Sequence, residues 1–137
     1  MTTLTTIHHI NFIVKDLNAS VADYRRVLGL GEFLHEELIE RGVSTARILL
    51  GGVWLVLVSP HSAHSIPGRY LKENGEGFFL LSFGVNDLKD ALAEMATRGT
   101  VSNTNIARRG LSDWLVADLN TSASLGAYFH LTENAVD

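Results

Sequence analysis

The sequence predicts an α+β fold built from two tandem βαβββ modules. The main evidence is a pattern that occurs twice: a strand-like apolar run, then Val, a polar residue, Asp and Leu, then a helical pattern. The two copies are residues 8–17 and 79–88. Alignment on this signature sets Val14 on Val85 and His9 on Leu80. Repetition of this kind indicates a duplicated supersecondary unit. The second copy lacks the histidine of the first.

Each element of the first module has its own signal. The predicted order is a strand at 7–14, a helix from Leu17 to Leu28, and strands at 32–39, 43–50 and 53–58. Apolar residues of the helix recur at helical spacing, and Asp16 or Asn18 can cap its start. Gly29 can end it, since glycine tolerates a positive φ. Gly51 and Gly52 predict a tight hairpin turn between the last two strands.

The second module repeats this order after a linker at 59–76. That linker holds both prolines and a short helix at 67–73. The predicted elements are a strand at 78–85, a helix at 87–98, a strand at 100–106, and closing strands at 111–117 and 126–132. We therefore expect one domain over 1–137, made of modules at about 5–58 and 77–133.

Composition excludes several classes of protein. The chain has 137 residues, no cysteine and a net charge of −4, which argues against a disulfide framework, a thiolate metal site and nucleic-acid binding. No signal peptide is evident, and the longest apolar run, 48–58, is too short for a membrane span. We expect a cytoplasmic protein. That run is apolar on both faces and needs cover on both, so we also expect a homodimer.

The set of motifs resembles the vicinal oxygen chelate superfamily, also called the glyoxalase/bleomycin-resistance/extradiol-dioxygenase group. The resemblance rests on residues 7–10, 14–17, 24–30 and 85–88. The linker at 69–77 is similar to that of methylmalonyl-CoA epimerases, where a helix also ends in Gly-Glu-Gly. The resemblance implies a curled mixed sheet around a cavity, a divalent metal in most members, and frequent homodimers.

The resemblance also implies four metal-ligand positions, which this chain fills incompletely. Members of the family place His, Glu or Gln, His, and Glu on the first, fourth, fifth and eighth strands. The matching residues here are His9, Val56, Leu80 and His130. Two histidines could hold a metal only with water or substrate completing the shell. We therefore assign no cofactor; if a divalent metal binds, His9 and His130 are its expected ligands.

Alternation along strands predicts which other side chains face the same cavity. The predicted ligand-binding set is His9, Asn11, Arg47, Trp54, Val56, Leu80, Ser82, Tyr128 and His130. This mixture of apolar, aromatic and a few polar groups is typical of small-molecule sites. His8 is expected to face the other way.

Arg47 enters that set through the hairpin. A two-residue turn at Gly51 and Gly52 pairs Arg47 with Val56, and opposed residues share a face. Arg47 would then point into the cavity as a cationic anchor for an anionic ligand. A register shifted by one residue would instead place it on the solvent side or in a surface ion pair.

A group of acidic residues near the predicted second strand is expected to form a solvated edge. The group consists of Glu32, Glu36, Glu37 and Glu40 with His35. Charges on an edge strand discourage pairing with other chains.

Two functions fit these residues. The first is a small-molecule binding protein with a mostly apolar cavity and an anionic or aromatic ligand. The alternative is a glyoxalase-like lyase or an epimerase that uses His9 and His130 as acid–base groups, with or without a divalent metal. The missing carboxylate and histidine ligands favour binding, whereas the retained histidines favour catalysis. A dimer with a purely structural or regulatory role is a third reading.

Overall fold

The computed structural model describes Leu4 and residues 6–100 and 108–133. The elements are β1 (Thr6–Ile13), α1 (Leu17–Leu28), β2 (Leu34–Leu38), β3 (Val43–Leu50), β4 (Val53–Pro60), α2 (Ile66–Asn74), β5 (Gly77–Val85), α3 (Leu88–Ala96), β6 (Arg108–Arg109), β7 (Leu115–Asp118), α4 (Ser122–Leu125) and β8 (Tyr128–Glu133). The predicted α+β class with two successive βαβββ modules is confirmed.

The residues group into two compact units. The first unit is Ile10–Phe79, and the second combines the residues up to His9 with those from Leu80 onward. Strand order is β2-β3-β4-β1 in the first unit and β5-β8-β7-β6 in the second. Equivalent strands of the two modules therefore occupy equivalent places. The single-domain organisation stays a prediction.

Local signals explain the first unit well. Asp16 caps α1 by accepting a hydrogen bond from the backbone N–H of Ala19. The β3–β4 register is the predicted one, with Leu50 opposite Val53 and Arg47 opposite Val56. The α1-facing core contains Val14, Val21, Phe33, Ala46 and Leu57. Because side chains alternate, Arg47 and Val56 lie on the opposite sheet face.

The second unit contains a mixed sheet packed on α3. Strand β5 pairs with β8 in parallel, and β8 pairs with β7 in the antiparallel sense. The core beneath α3 contains Val85, Leu88, Ala91, Ala117, Leu119 and Leu131. In each unit we call the sheet face turned away from its long helix (α1 or α3) the distal face. Ser82, His130 and Thr132 alternate with α3-facing residues and so lie on the distal face of the second unit.

The predicted strand at 111–117 is wrong in its first half. Leu111–Asp113 forms a 3-10 turn, and the strand begins at Leu115. The backbone N–H of Gly110 donates to the carbonyl of Trp114 at 2.7 Å, and this contact closes the turn. Apolar Leu111 and Trp114 imitate a strand in sequence, but both are buried by a tight turn instead. The predicted strand at 100–106 falls largely outside the described residues.

Other observed element boundaries differ from the predicted ones by a few residues. The linker helix is confirmed as α2, capped by the Ser65 hydroxyl, which accepts from the backbone N–H of Gly68. The short helix α4 was not predicted. Within the described part of the chain, every helix is too short or too polar to cross a membrane.

Candidate functional site

A buried His–Asp pair lies on the distal face of the second unit. His130 of β8 is directly opposite Asp118 of β7, and its Nε2 is 2.7 Å from Asp118 Oδ1. The two side chains are only 10% and 14% exposed. A carboxylate at this distance accepts a hydrogen bond from Nε2–H, which fixes the tautomer and stabilises the imidazolium form. The pair is therefore equipped to accept and return a proton.

The neighbouring strand carries further predicted site residues. In the β5–β8 register, Ser82 lies beside His130 and Leu80 beside Tyr128. Alternation places all four on the distal face. The hydroxyls of Ser82 and Thr132 are 2.6 Å apart, and both residues are fully buried. This hydrogen bond satisfies two polar groups close to the His–Asp pair.

Three rings meet at the start of β1. His9 is buried and stacks on Trp114 with ring centroids 5.1 Å apart, and His8 meets the same indole edge-on at 4.5 Å. The Nδ1 atoms of His8 and His9 are 2.9 Å apart, so one ring donates and the other accepts. Burial lowers the pKa of His8, which favours the neutral ring that such a bond needs. We call His8, His9 and Trp114 the ring cluster.

The ring cluster corrects the prediction that His8 faces away from His9. Alternation along a strand sets the direction of each Cβ atom but leaves the ring free to turn about χ1. The His8 ring turns back toward Trp114, where it exchanges contact with water for contact with two rings.

The distal face of the first unit carries a buried arginine. Arg47 is 6% exposed, its guanidinium donates to Glu36 Oε1 at 2.8 Å, and its centre lies 5.1 Å from the ring centroid of Trp54. Arg47 therefore lies buried on the sheet face that the predicted register gives it, and it forms an ion pair there. Its partner was unexpected: Glu36 was assigned to the solvated edge, where Glu32, Glu37, Glu40 and His35 are indeed exposed. Glu36 differs because β2 pairs with β3 and turns Glu36 to the same face as Arg47.

Asn11 lies on that same distal face. Its neighbour Phe12 packs toward α1, against Tyr24 and the core, so Asn11 points the opposite way. The Oδ1 atom of Asn11 is buried and meets no hydrogen-bond partner among the described residues. Val56, on the adjacent strand β4, is completely buried.

The side chains at the four expected ligand positions do not fit a metal. Val56 and Leu80 are apolar and buried, and His130 is engaged by Asp118. Across residues 6–100 and 108–133, no three His, Asp or Glu side chains come together as a metal-binding group. Apolar side chains offer no lone pair to a cation. We therefore derive no catalytic step that uses a metal ion.

A surface groove of about 460 Å³ on the first unit borders this region through Glu36. Its lining includes Asp16, Glu36 and Glu37 and contains none of the predicted ligand-binding residues. The local acidic charge makes this groove unsuited to an anionic ligand.

Three important side chains were missed by sequence reasoning: Asp118, Trp114 and Glu36. Asp118 had a usable signal, because it is a single acid at the end of the apolar run 115–117. Trp114 lies within the run 111–117 that the sequence predicts as a strand, and Glu36 lies within a group of otherwise exposed acids.

Comparison with known proteins agrees with this architecture. A family model described as the glyoxalase/bleomycin resistance protein/dioxygenase superfamily matches residues 8–117. The solved structure of a methylmalonyl-CoA epimerase in complex with methylmalonyl-CoA and NH4+ is 30% identical over 97% of this chain and 96% of that chain, with a TM-score of 0.90. A single-substitution variant of the Streptomyces coelicolor methylmalonyl-CoA epimerase, in complex with 2-nitronate-propionyl-CoA, gives the same identity, coverage and TM-score.

A more distant structure supports the fold alone. The Mycobacterium tuberculosis methylmalonyl-CoA epimerase is 23% identical over 98% of this chain and 91% of that chain, with a TM-score of 0.91. No curated protein sequence matches the chain significantly.

Proposed function

Because the chain belongs to the glyoxalase/bleomycin resistance protein/dioxygenase superfamily, we propose that it is an acid–base epimerase or isomerase that works without a resident metal. The observation that carries this proposal is the buried pair of His130 and Asp118. The substrate class we propose is a small organic acid joined as a thioester. Support comes from relatives at 30% identity that are in complex with methylmalonyl-CoA and 2-nitronate-propionyl-CoA.

The proposed chemistry is reversible proton transfer at the carbon next to the thioester carbonyl. His130 accepts the proton through Nδ1, while Asp118 holds Nε2–H and stabilises the resulting imidazolium. The electron pair of the broken C–H bond moves into the enolate. The imidazolium exchanges its proton with solvent and then protonates the carbon, so atoms and charge balance over the cycle. Inversion requires that the enolate first turn its opposite face toward His130. Histidine suits this role because its unperturbed pKa lies near neutral pH.

The test is deuterium exchange on methylmalonyl-CoA. In D2O at neutral pH with excess EDTA, we expect the protein to accelerate incorporation of deuterium at the α-carbon above the spontaneous rate, as measured by proton NMR. Treatment with chelator should leave the rate unchanged. Exchange that appears only after addition of a divalent cation would contradict the metal-independent mechanism.

A second candidate function is binding without catalysis. It is favoured by Val56 and Leu80, which place buried apolar groups at two expected ligand positions. It is also favoured by the hydrogen bond between Ser82 and Thr132, because this bond engages the two hydroxyls with each other. If this function is the right one, isothermal titration calorimetry will detect binding of the thioester while the exchange experiment shows only the spontaneous rate.

We propose that the protein forms a homodimer. Support comes from large apolar side chains at the surface of the first unit: Leu34, Leu49 and Leu50 are 56%, 50% and 45% exposed. Exposed apolar residues of this size favour burial against a partner. The molar mass in solution, measured by sedimentation equilibrium, checks this assignment.

A further inference from the structure

The distal face of the first unit holds polar groups that the proposed proton transfer does not use. Arg47 lies on β3 and Asn11 on β1, with β4 between them. Neighbouring strands are about 4.8 Å apart, so the two backbones are separated by about 10 Å. The intervening residue opposite Arg47 is Val56, whose small side chain is apolar and fully buried. Two polar side chains thus flank an apolar strip.

We propose that Arg47 and Asn11 form a subsite for a carboxylate, with Glu36 as the counter-ion that occupies it between ligands. A guanidinium presents a planar fork of donors that matches a carboxylate. Trp54 lies under the Arg47 guanidinium at 5.1 Å and holds its orientation. The Asn11 amide can turn by 180° and present either an N–H donor or its oxygen.

The buried amide group of Asn11 could gain a hydrogen bond from a ligand. The Oδ1 atom of Asn11 is buried and meets no hydrogen-bond donor in the described residues. A buried acceptor without a donor destabilises the folded protein. A carboxylic acid, hydroxyl or amide on the ligand would supply that donor, or the turned amide would donate to the ligand carboxylate.

The Glu36–Arg47 pair is asymmetric in a way that permits exchange. The Arg47 side chain is 8% exposed, whereas that of Glu36 is 33% exposed. Glu36 can therefore rotate into water while Arg47 stays in place. A ligand carboxylate that replaces Glu36 leaves the charge around Arg47 balanced, so the ion pair is exchanged rather than lost. This subsite rests on the proposed function only for the acidic character of the ligand, because binding alone defines it.

The test uses Glu36→Gln, which removes the resident counter-ion. We expect its melting temperature to rise with added malonate, whereas sodium chloride at equal ionic strength has no such effect. By calorimetry, malonate should bind this variant at least tenfold more tightly than the wild-type chain. Adding Arg47→Met to Glu36→Gln should abolish the malonate response, and adding Asn11→Ala should weaken it several-fold.

A matched control lies in the same unit. Asp23→Asn makes the same charge change in the exposed Asp23–Arg26 pair, whose side chains are 67% and 73% exposed. This variant should respond to malonate like the wild-type chain. A similar gain in malonate affinity for Asp23→Asn would mean that malonate binding depends on the overall charge of the protein, which would overturn the subsite.

Two further results would overturn the proposal. One is no malonate response in Glu36→Gln, as expected if the ion pair is only structural; the other is a response that persists without Arg47. If Glu36→Gln fails to fold, Arg47→Lys in the wild-type background tests the subsite instead. This variant keeps the positive charge but loses the forked donor set of the guanidinium. A tenfold loss of malonate affinity supports the subsite, and unchanged or undetectable binding in both chains removes it. Deuterium exchange is measured separately, so the malonate-binding result can be interpreted even if the protein shows no proton transfer.

Discussion

Replacement of His130 by glutamine is expected to slow α-proton exchange on methylmalonyl-CoA by about 10²–10⁴-fold, the usual contribution of a positioned general base. Asp118→Asn should reduce the exchange rate by a similar factor. The reason is that an amide can hold the imidazole in the wrong tautomer and cannot stabilise its cation. In both variants kcat should fall while KM changes little. Deuterium incorporation followed by NMR over a range of substrate concentrations measures both parameters.

A matched control is His64→Gln, since His64 is exposed in the loop before α2. Its exchange rate should equal that of the wild-type chain. Full activity of His130→Gln, together with an unchanged melting temperature, would remove His130 from the chemistry. Because His130 and Asp118 act as a unit, the double variant should lose little more than either single one.

Trp114→Ala is expected to lower the free energy of unfolding by about 3–5 kcal/mol, as large-to-small changes of buried aromatic residues do. Trp114 is 6% exposed and contacts both imidazoles of the ring cluster. Its removal leaves a cavity and takes away both ring contacts. Urea denaturation followed by circular dichroism measures the loss.

Comparison with Phe78→Ala tests that interpretation. Phe78 is also aromatic but is 42% exposed, so a clearly smaller loss is expected there. Trp114→Phe should recover part of the stability, because it keeps an aromatic face for His9. A loss below about 1 kcal/mol for Trp114→Ala would show that the neighbouring side chains collapse into the space.

Sequence reasoning succeeded where local chemistry determines structure. The β3–β4 register follows from the turn at Gly51 and Gly52, and Gly51 does take a positive φ of 63°. The direction of Arg47 follows from that register by alternation. The helices follow from capping residues and apolar periodicity, since these signals lie within a few residues of each other.

It failed where partners come from distant parts of the chain. The pair of His130 and Asp118 depends on how β7 aligns with β8 across the intervening α4, and no local turn rule sets that alignment. Arg47 meets Glu36 only because of the β2–β3 register. Periodicity identifies the face of a strand, but it does not say which residue of the next strand stands opposite.

Buried Val56 and Leu80 also bear on how this chain could have descended from a metal-binding ancestor, and on whether it could return. Restoring a donor at one of these positions alone would bury an unpaired polar group, at a cost of about 1–3 kcal/mol. A cation would still meet one apolar side chain and a His130 ring that is held by Asp118. Reversal therefore requires several substitutions together, each unfavourable by itself. Selection acting on single changes would therefore preserve the apolar side chains at these two positions.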